Sequence, residues 1–77
     1  MTDLDPVADQ RELLRQAAAA HTAAARDVEA FLRRLPDVPD PADVTEYATL
    51  LSREERTLAD RQSAADAAGL QLPSLEP

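Results

Sequence analysis

Apolar positions recur every seven residues in two separate runs of this chain. The first run is Val7, Leu14, His21, Val28 and Leu35, and the second is Val44, Leu51, Leu58, Ala65 and Leu72. A seven-residue spacing places the members of one run on one side of a long helix. The break between the runs contains three prolines, at positions 36, 39 and 41. The pattern therefore predicts two amphipathic helices joined by a short connector.

Matched stripes around a short connector predict an all-α fold, an antiparallel two-helix hairpin that resembles a coiled coil. When the chain turns between the two runs, residues whose numbers sum to 79 face each other. The expected layers pair Leu35 with Val44, Val28 with Leu51, His21 with Leu58, and Leu14 with Ala65. We expect these four layers to form the core of the hairpin.

Helix 1 is expected over residues 6–34, after a frayed N-terminus at 1–5. Asp5 can accept a hydrogen bond from a free N–H of the first turn, and the proline that follows is well tolerated at the first helical position. Helix 1 should end near residue 34, because Pro36 disfavours the helical conformation at the residue before it. A connector over 35–40 then leads to the second helix.

Helix 2 is expected over residues 41–68. Asp40 can cap its N-terminus, and Asp43 adds negative charge near the positive end of the helix dipole. Gly69 is the single glycine of the chain. Because glycine adopts the left-handed conformation at little cost, it predicts the end of the helix.

The charge and the apolar runs limit the classes of partner. Fifteen acidic residues against eight basic ones, all arginine, give a net charge of −7, which disfavours nucleic acid and anionic membrane surfaces as partners. The longest run of small apolar residues, Ala17–Ala20, is far too short to cross a membrane. An acidic N-terminus without an apolar stretch is unlike a secretory leader. We therefore expect a cytoplasmic protein, with export by a leaderless route left open.

The sequence contains little that would support catalysis or cofactor binding. It has no cysteine, which excludes disulfides and thiolate metal sites, and one glycine is too few for a phosphate-binding loop. His21 is the single histidine, and its neighbours one helical turn away are alanines rather than further metal ligands. A partly buried or interface position for His21 is favoured over a ligand, pH switch or general base. We expect no catalytic, cofactor-binding or metal-binding residues, no small-molecule substrate and no enzyme activity.

Long amphipathic helices in so short a chain favour a non-enzymatic assembly or adaptor module. A two-helix layer leaves each helix half exposed, so a second copy completing a four-helix bundle, or a larger protein partner, would cover it. Leu13, Leu32 and Leu50 fall beside the seven-residue stripes and widen the apolar arc toward a second surface. The interface candidates are Leu13, His21, Leu32, Leu50, Leu70, Leu72 and Leu75.

Two alternative functions fit the same sequence. One is an acidic inhibitor that mimics the phosphate spacing of nucleic acid and blocks a basic protein surface. The other is an accessory subunit of an enzyme whose catalytic residues lie on another chain. A charge mimic should lose its partner steeply as ionic strength rises, whereas an apolar helical interface should not.

The C-terminal tail, residues 70–77, follows the hairpin of residues 6–69 and is expected to be extended or disordered. Some of its three leucines are expected to dock on a partner or back across helix 1, where the landing place is near Val7. Deleting residues 70–77 should therefore lower either partner binding or the free energy of unfolding. A truncated chain that matches the full chain in both measurements would contradict this prediction.

Overall fold

The computed structural model describes residues 6–70, with side-chain detail from Asp9 onward. Within this range the chain forms two helices and no strand, α1 over Pro6–Arg33 and α2 over Pro41–Ala67. The helices pack against each other in antiparallel order, which confirms the all-α hairpin. The expectations for residues 1–5, for the side chain of Val7 and for residues 71–77 lie outside the described residues.

The N-terminus of α2 is held by a capping box. The backbone N–H of Asp43 donates to Oδ1 of Asp40, and the backbone N–H of Asp40 donates to Oδ2 of Asp43, both at 3.0 Å. Each carboxylate thus satisfies a donor that the helix leaves free. The expected role of Asp40 as the N-cap is confirmed.

α2 ends at Ala67, one residue before the predicted end, and the predicted glycine lies in the turn that follows. Gly69 has a φ of +87°, which glycine tolerates because it has no Cβ. The backbone N–H of Leu70 then donates to the carbonyl of Ala65 at 2.8 Å, as in a Schellman motif. The chain therefore folds back on the last turn of the helix.

The buried part of the hairpin is small and lies along one line of each helix. Among the described residues, Ala24, Val28, Phe31 and Thr57 are the ones that are buried. Phe31 stacks on Tyr47 with ring centroids 5.8 Å apart. The Thr57 hydroxyl lies 2.9 Å from the carbonyl oxygens of Arg53 and Glu54, so its polar atom is satisfied by its own helix. Because Ala24 has a small side chain, the helices approach closely here.

The rotation of α2 differs from the sequence prediction. Cross-helix contacts keep the expected register, since Asp27 meets Arg53 and Phe31 meets Tyr47. However, Thr57 is buried whereas Leu58, expected in the core opposite His21, is 40% exposed. Val44, expected opposite Leu35, is 62% exposed.

The corrected facing line of α2 alternates steps of four and three residues. Its members are Asp43, Tyr47, Leu50, Glu54, Thr57, Arg61, Ala64 and Ala68. Stacking on Phe31 draws this line toward α1, and the small Thr57 fits where the helices are close. The stripe of Val44 and Leu58 is thereby turned to the edge of the contact.

Replacing Ala24 by leucine should lower the free energy of unfolding by about 2 kcal/mol, because the added atoms force the helices apart. Ala23, the next residue on α1, is exposed, and Ala23→Leu should leave stability nearly unchanged. Thermal unfolding followed by circular dichroism measures both variants. Equal stability of the two would show that the helices are not closely packed at Ala24.

Candidate protein-interaction site

The two sides of the hairpin differ in chemistry. We call one side of the hairpin the polar face. It is formed by residues 13, 20 and 27 of α1, by Arg34 directly after α1, and by residues 46, 53, 60 and 67 of α2. Two ion pairs join the helices across this side, Arg34 with Glu46, and Arg53 with Asp27 at 2.7 Å. Residues seven apart share one side of a helix, so these pairs define the face.

The ion pairs of the polar face contribute little to stability. The side chains of Arg53 and Asp27 are 45% and 51% exposed, and water screens such pairs to a few tenths of a kcal/mol. Their chemical effect is that the polar face carries positive and negative side chains in pairs.

The opposite side of the hairpin is aliphatic, and we call it the apolar face. Its members are Ala18, Ala25 and Leu32 of α1 and Val44, Leu51, Leu58 and Ala65 of α2. Val44, Leu32 and Leu58 are 62%, 49% and 40% exposed. The face is bordered by an exposed rim consisting of Arg15, Thr22, Glu29, Ala48, Glu55 and Gln62. Exposed apolar side chains grouped on one side, with a mostly polar border, are typical of a protein-binding site.

The apolar face has a concavity at the turn end of the hairpin. Its volume is about 170 Å³, and its lining consists of Phe31, Leu32, Leu35, Pro39, Asp43, Val44 and Tyr47. The concavity exists because the prolines of the connector carry the chain past the helix ends before α2 begins. Its size suits one aliphatic side chain.

A leucine lies at the other end of the apolar face. Leu70 is 60% exposed and lies beside Gln62, Ala65 and Asp66. Its position follows from the Gly69 turn, which reverses the chain against α2. Leu70 and these three residues line a second concavity of about 260 Å³, so each end of the face has a hollow.

The predicted interface residues are distributed over different surfaces. Leu13 and Leu32 were expected to widen one apolar arc, but Leu13 belongs to the polar face, where it is 46% exposed. The two leucines are about 100° apart on α1, one on each side of its buried line. Leu50 is half-buried on the facing line of α2. Leu72 and Leu75 lie outside the described residues.

His21 lies between the helices, half-buried on the facing line of α1. Nη1 of Arg61 is 3.4 Å from its Nδ1. A guanidinium in that position repels a cation, so the ring is poorly placed to bind a metal. Nowhere in residues 6–70 do three metal-binding side chains come together.

The seven-residue pattern predicted that Val44 and Leu58 lie in the core, but in the structure both belong to the apolar face. The seven-residue spacing showed that they share a side of α2, but that spacing is equally consistent with the core and with its edge. The small Thr57 beside Leu58 was the signal that α2 turns a different line toward α1.

No family model matches this chain, and neither the curated proteins nor the solved structures include a match. Between residues 6 and 70, neither helix combines the length and the apolar character needed to span a membrane.

A double-mutant cycle on Asp27 and Arg53 measures how much an ion pair of the polar face contributes to the free energy of unfolding. We expect a coupling energy of about 0.5 kcal/mol from Asp27→Ala, Arg53→Ala and the double variant, because the pair is half exposed. In 1 M salt the coupling should disappear, since the Debye length falls to about 3 Å. A coupling above about 2 kcal/mol would assign the polar face a structural role.

Proposed function

We propose that this protein is a non-enzymatic helical hairpin that binds a protein partner through its apolar face, either a second copy or a larger protein. The observation that carries the proposal is the exposure of three large aliphatic side chains, Leu32, Val44 and Leu58, on one side of the hairpin. Its exposed side chains have no partner within a two-helix layer, and covering them releases water from apolar area.

The opposite face is a poorer candidate for recognition. A mimic of nucleic acid needs a stripe of negative charge, but the polar face alternates in sign, with Glu46 and Asp27 each paired to an arginine. An accessory subunit of an enzyme remains within the proposal, because such a subunit would bind its catalytic chain by the same apolar surface. Identification of the bound partner by mass distinguishes this case.

Leu58 and Leu13 provide a matched pair of variants. They are 40% and 46% exposed and lie on opposite faces, so replacing either by glutamine removes similar apolar area. We expect Leu58→Gln to weaken partner binding about tenfold or more, because about 1.4 kcal/mol of apolar contact is lost. Leu13→Gln should bind as the unmodified chain does.

The measurement is affinity purification with native partners, combined with sedimentation to detect self-association. High salt is included, because binding through an apolar face should persist when ionic strength rises. Equal binding by the two variants would contradict the proposal, as would a complex that dissociates in high salt.

A further inference from the structure

The negative charge of the described hairpin is concentrated at its turn end. Residues 29–47 contain five acidic side chains and two arginines, which leaves a net charge of −3. The opposite end, formed by residues 9–15 and 61–70, contains three acidic residues and three arginines and is therefore neutral. Three of the acidic residues lie in the connector and the first turn of α2, and we call them the turn aspartates: Asp37, Asp40 and Asp43.

The two arginines of the turn end are paired with its two glutamates. Arg34 pairs with Glu46, and Arg33 lies 4.0 Å from Glu29. In the part of the chain that the structure describes, neither an arginine nor the histidine forms an ion pair with a turn aspartate. The helix dipoles do not neutralise these aspartates, because the negative end of α1 and the positive end of α2 lie side by side and offset each other. The turn aspartates therefore set the sign of the local field.

The concavity beside Val44 lies among the turn aspartates. Asp43 belongs to its lining, and the connector that carries the other two contributes Pro39. The rest of the lining is aliphatic or aromatic and consists of Phe31, Leu32, Leu35, Val44 and Tyr47. When a side chain of a partner enters this hollow, the neighbouring residues of that partner lie beside carboxylates.

The walls of this concavity are fixed by interactions within the hairpin. Asp40 and Asp43 hold each other through two hydrogen bonds of 3.0 Å, and Phe31 stacks on Tyr47. A preformed apolar hollow requires little ordering when it binds, so more of the contact energy appears as affinity. The turn end is therefore suited to anchoring one side chain of a partner.

We infer that the occupant of this concavity is a protein segment in which an aliphatic side chain is flanked by arginine or lysine. The aliphatic side chain enters the hollow, and the basic side chains lie beside the turn aspartates. Charge complementarity selects this chemistry, because an acidic segment would be repelled and an uncharged one would gain nothing from the field. The inference rests on the proposed function, since the concavity is one end of the apolar face.

The hollow at the other end of the apolar face has a different environment. It is lined by Gln62, Ala65, Asp66 and Leu70, and the charges of that end balance. Neither sign of charge is therefore favoured there. The two hollows provide an internal comparison, because the basic anchor should depend on the one at the turn and not on the one beside Leu70.

Selection from a library of random peptides on the full chain tests the chemistry of the occupant. We expect the enriched peptides to combine an aliphatic residue with neighbouring arginine or lysine. Enrichment of acidic or uncharged peptides would overturn the inference. A selection that enriches no peptide would overturn it as well.

Val44 and Leu70 provide matched variants for locating the selected peptide. Their side chains are 62% and 60% exposed, and each lines a different hollow. Val44→Gln should raise the dissociation constant of the most enriched peptide about tenfold or more, because apolar contact in the hollow is lost. Leu70→Gln should leave it unchanged. Circular dichroism should show the same helix content for both variants, and equal affinities would show that the peptide does not bind at the turn.

Asp37 and Asp60 provide the corresponding test of charge. Both are exposed, and replacing either by arginine changes the net charge by the same amount, but Asp60 lies on the polar face. We expect Asp37→Arg to slow association of the peptide about threefold or more while its dissociation rate stays nearly constant, because charges at the border of an interface act mainly on the encounter. Higher ionic strength should likewise slow association without dissociating the anchored peptide. Equal rates for Asp37→Arg and Asp60→Arg would contradict a role for the turn aspartates.

The native partner separates this inference from the proposed function. If that partner is lost on Leu58→Gln but the enriched peptides contain no basic residue, the proposed function stands and the inference fails. A native partner that binds Leu58→Gln and Leu13→Gln equally overturns the proposed function, whatever the peptides show.

Discussion

A layer of two helices buries one line of residues on each helix, and this constraint governs the rest of the structure. No third element covers the flanks in the described part of the chain, so the few buried residues, chiefly Ala24, Val28 and Phe31, must hold the helices together. They do so by close approach at an alanine and by aromatic stacking on Tyr47. The polar face and the apolar face can therefore differ in chemistry, since neither contributes much to the core.

The difference between the two flanks follows from the rotation of α2. Thr57 is turned toward α1. On α2, residues that directly precede members of the facing line then form the polar face, and residues that directly follow members of that line form the apolar face. Arg53 and Leu58 thus lie on opposite sides of one helix. If the rotation had followed the seven-residue stripe, Leu58 would be buried and the aliphatic surface would be smaller. The candidate site therefore arises from the packing of the core.

The helix ends give the apolar face its shape. The capping box of Asp40 and Asp43 starts α2 abruptly after the proline connector, which leaves a concavity beside Val44. At the other end, Gly69 reverses the chain and leaves Leu70 exposed. Local signals that start and stop one helix thus also shape the two ends of the apolar face.

The sequence by itself determined the class of fold, the helix ends to within one residue, and the register. Prolines, Asp40 and Gly69 act locally, through steric restriction and hydrogen bonds within a few residues, so their effect can be read from the chain. The register follows from the connector, because its length sets which residues are level. Tertiary structure alone decided which line of α2 faces α1. A stripe such as Val44 and Leu58 marks one side of a helix, but stacking of Phe31 on Tyr47 and the small volume of Thr57 set the rotation, and these contacts join residues that are distant in sequence.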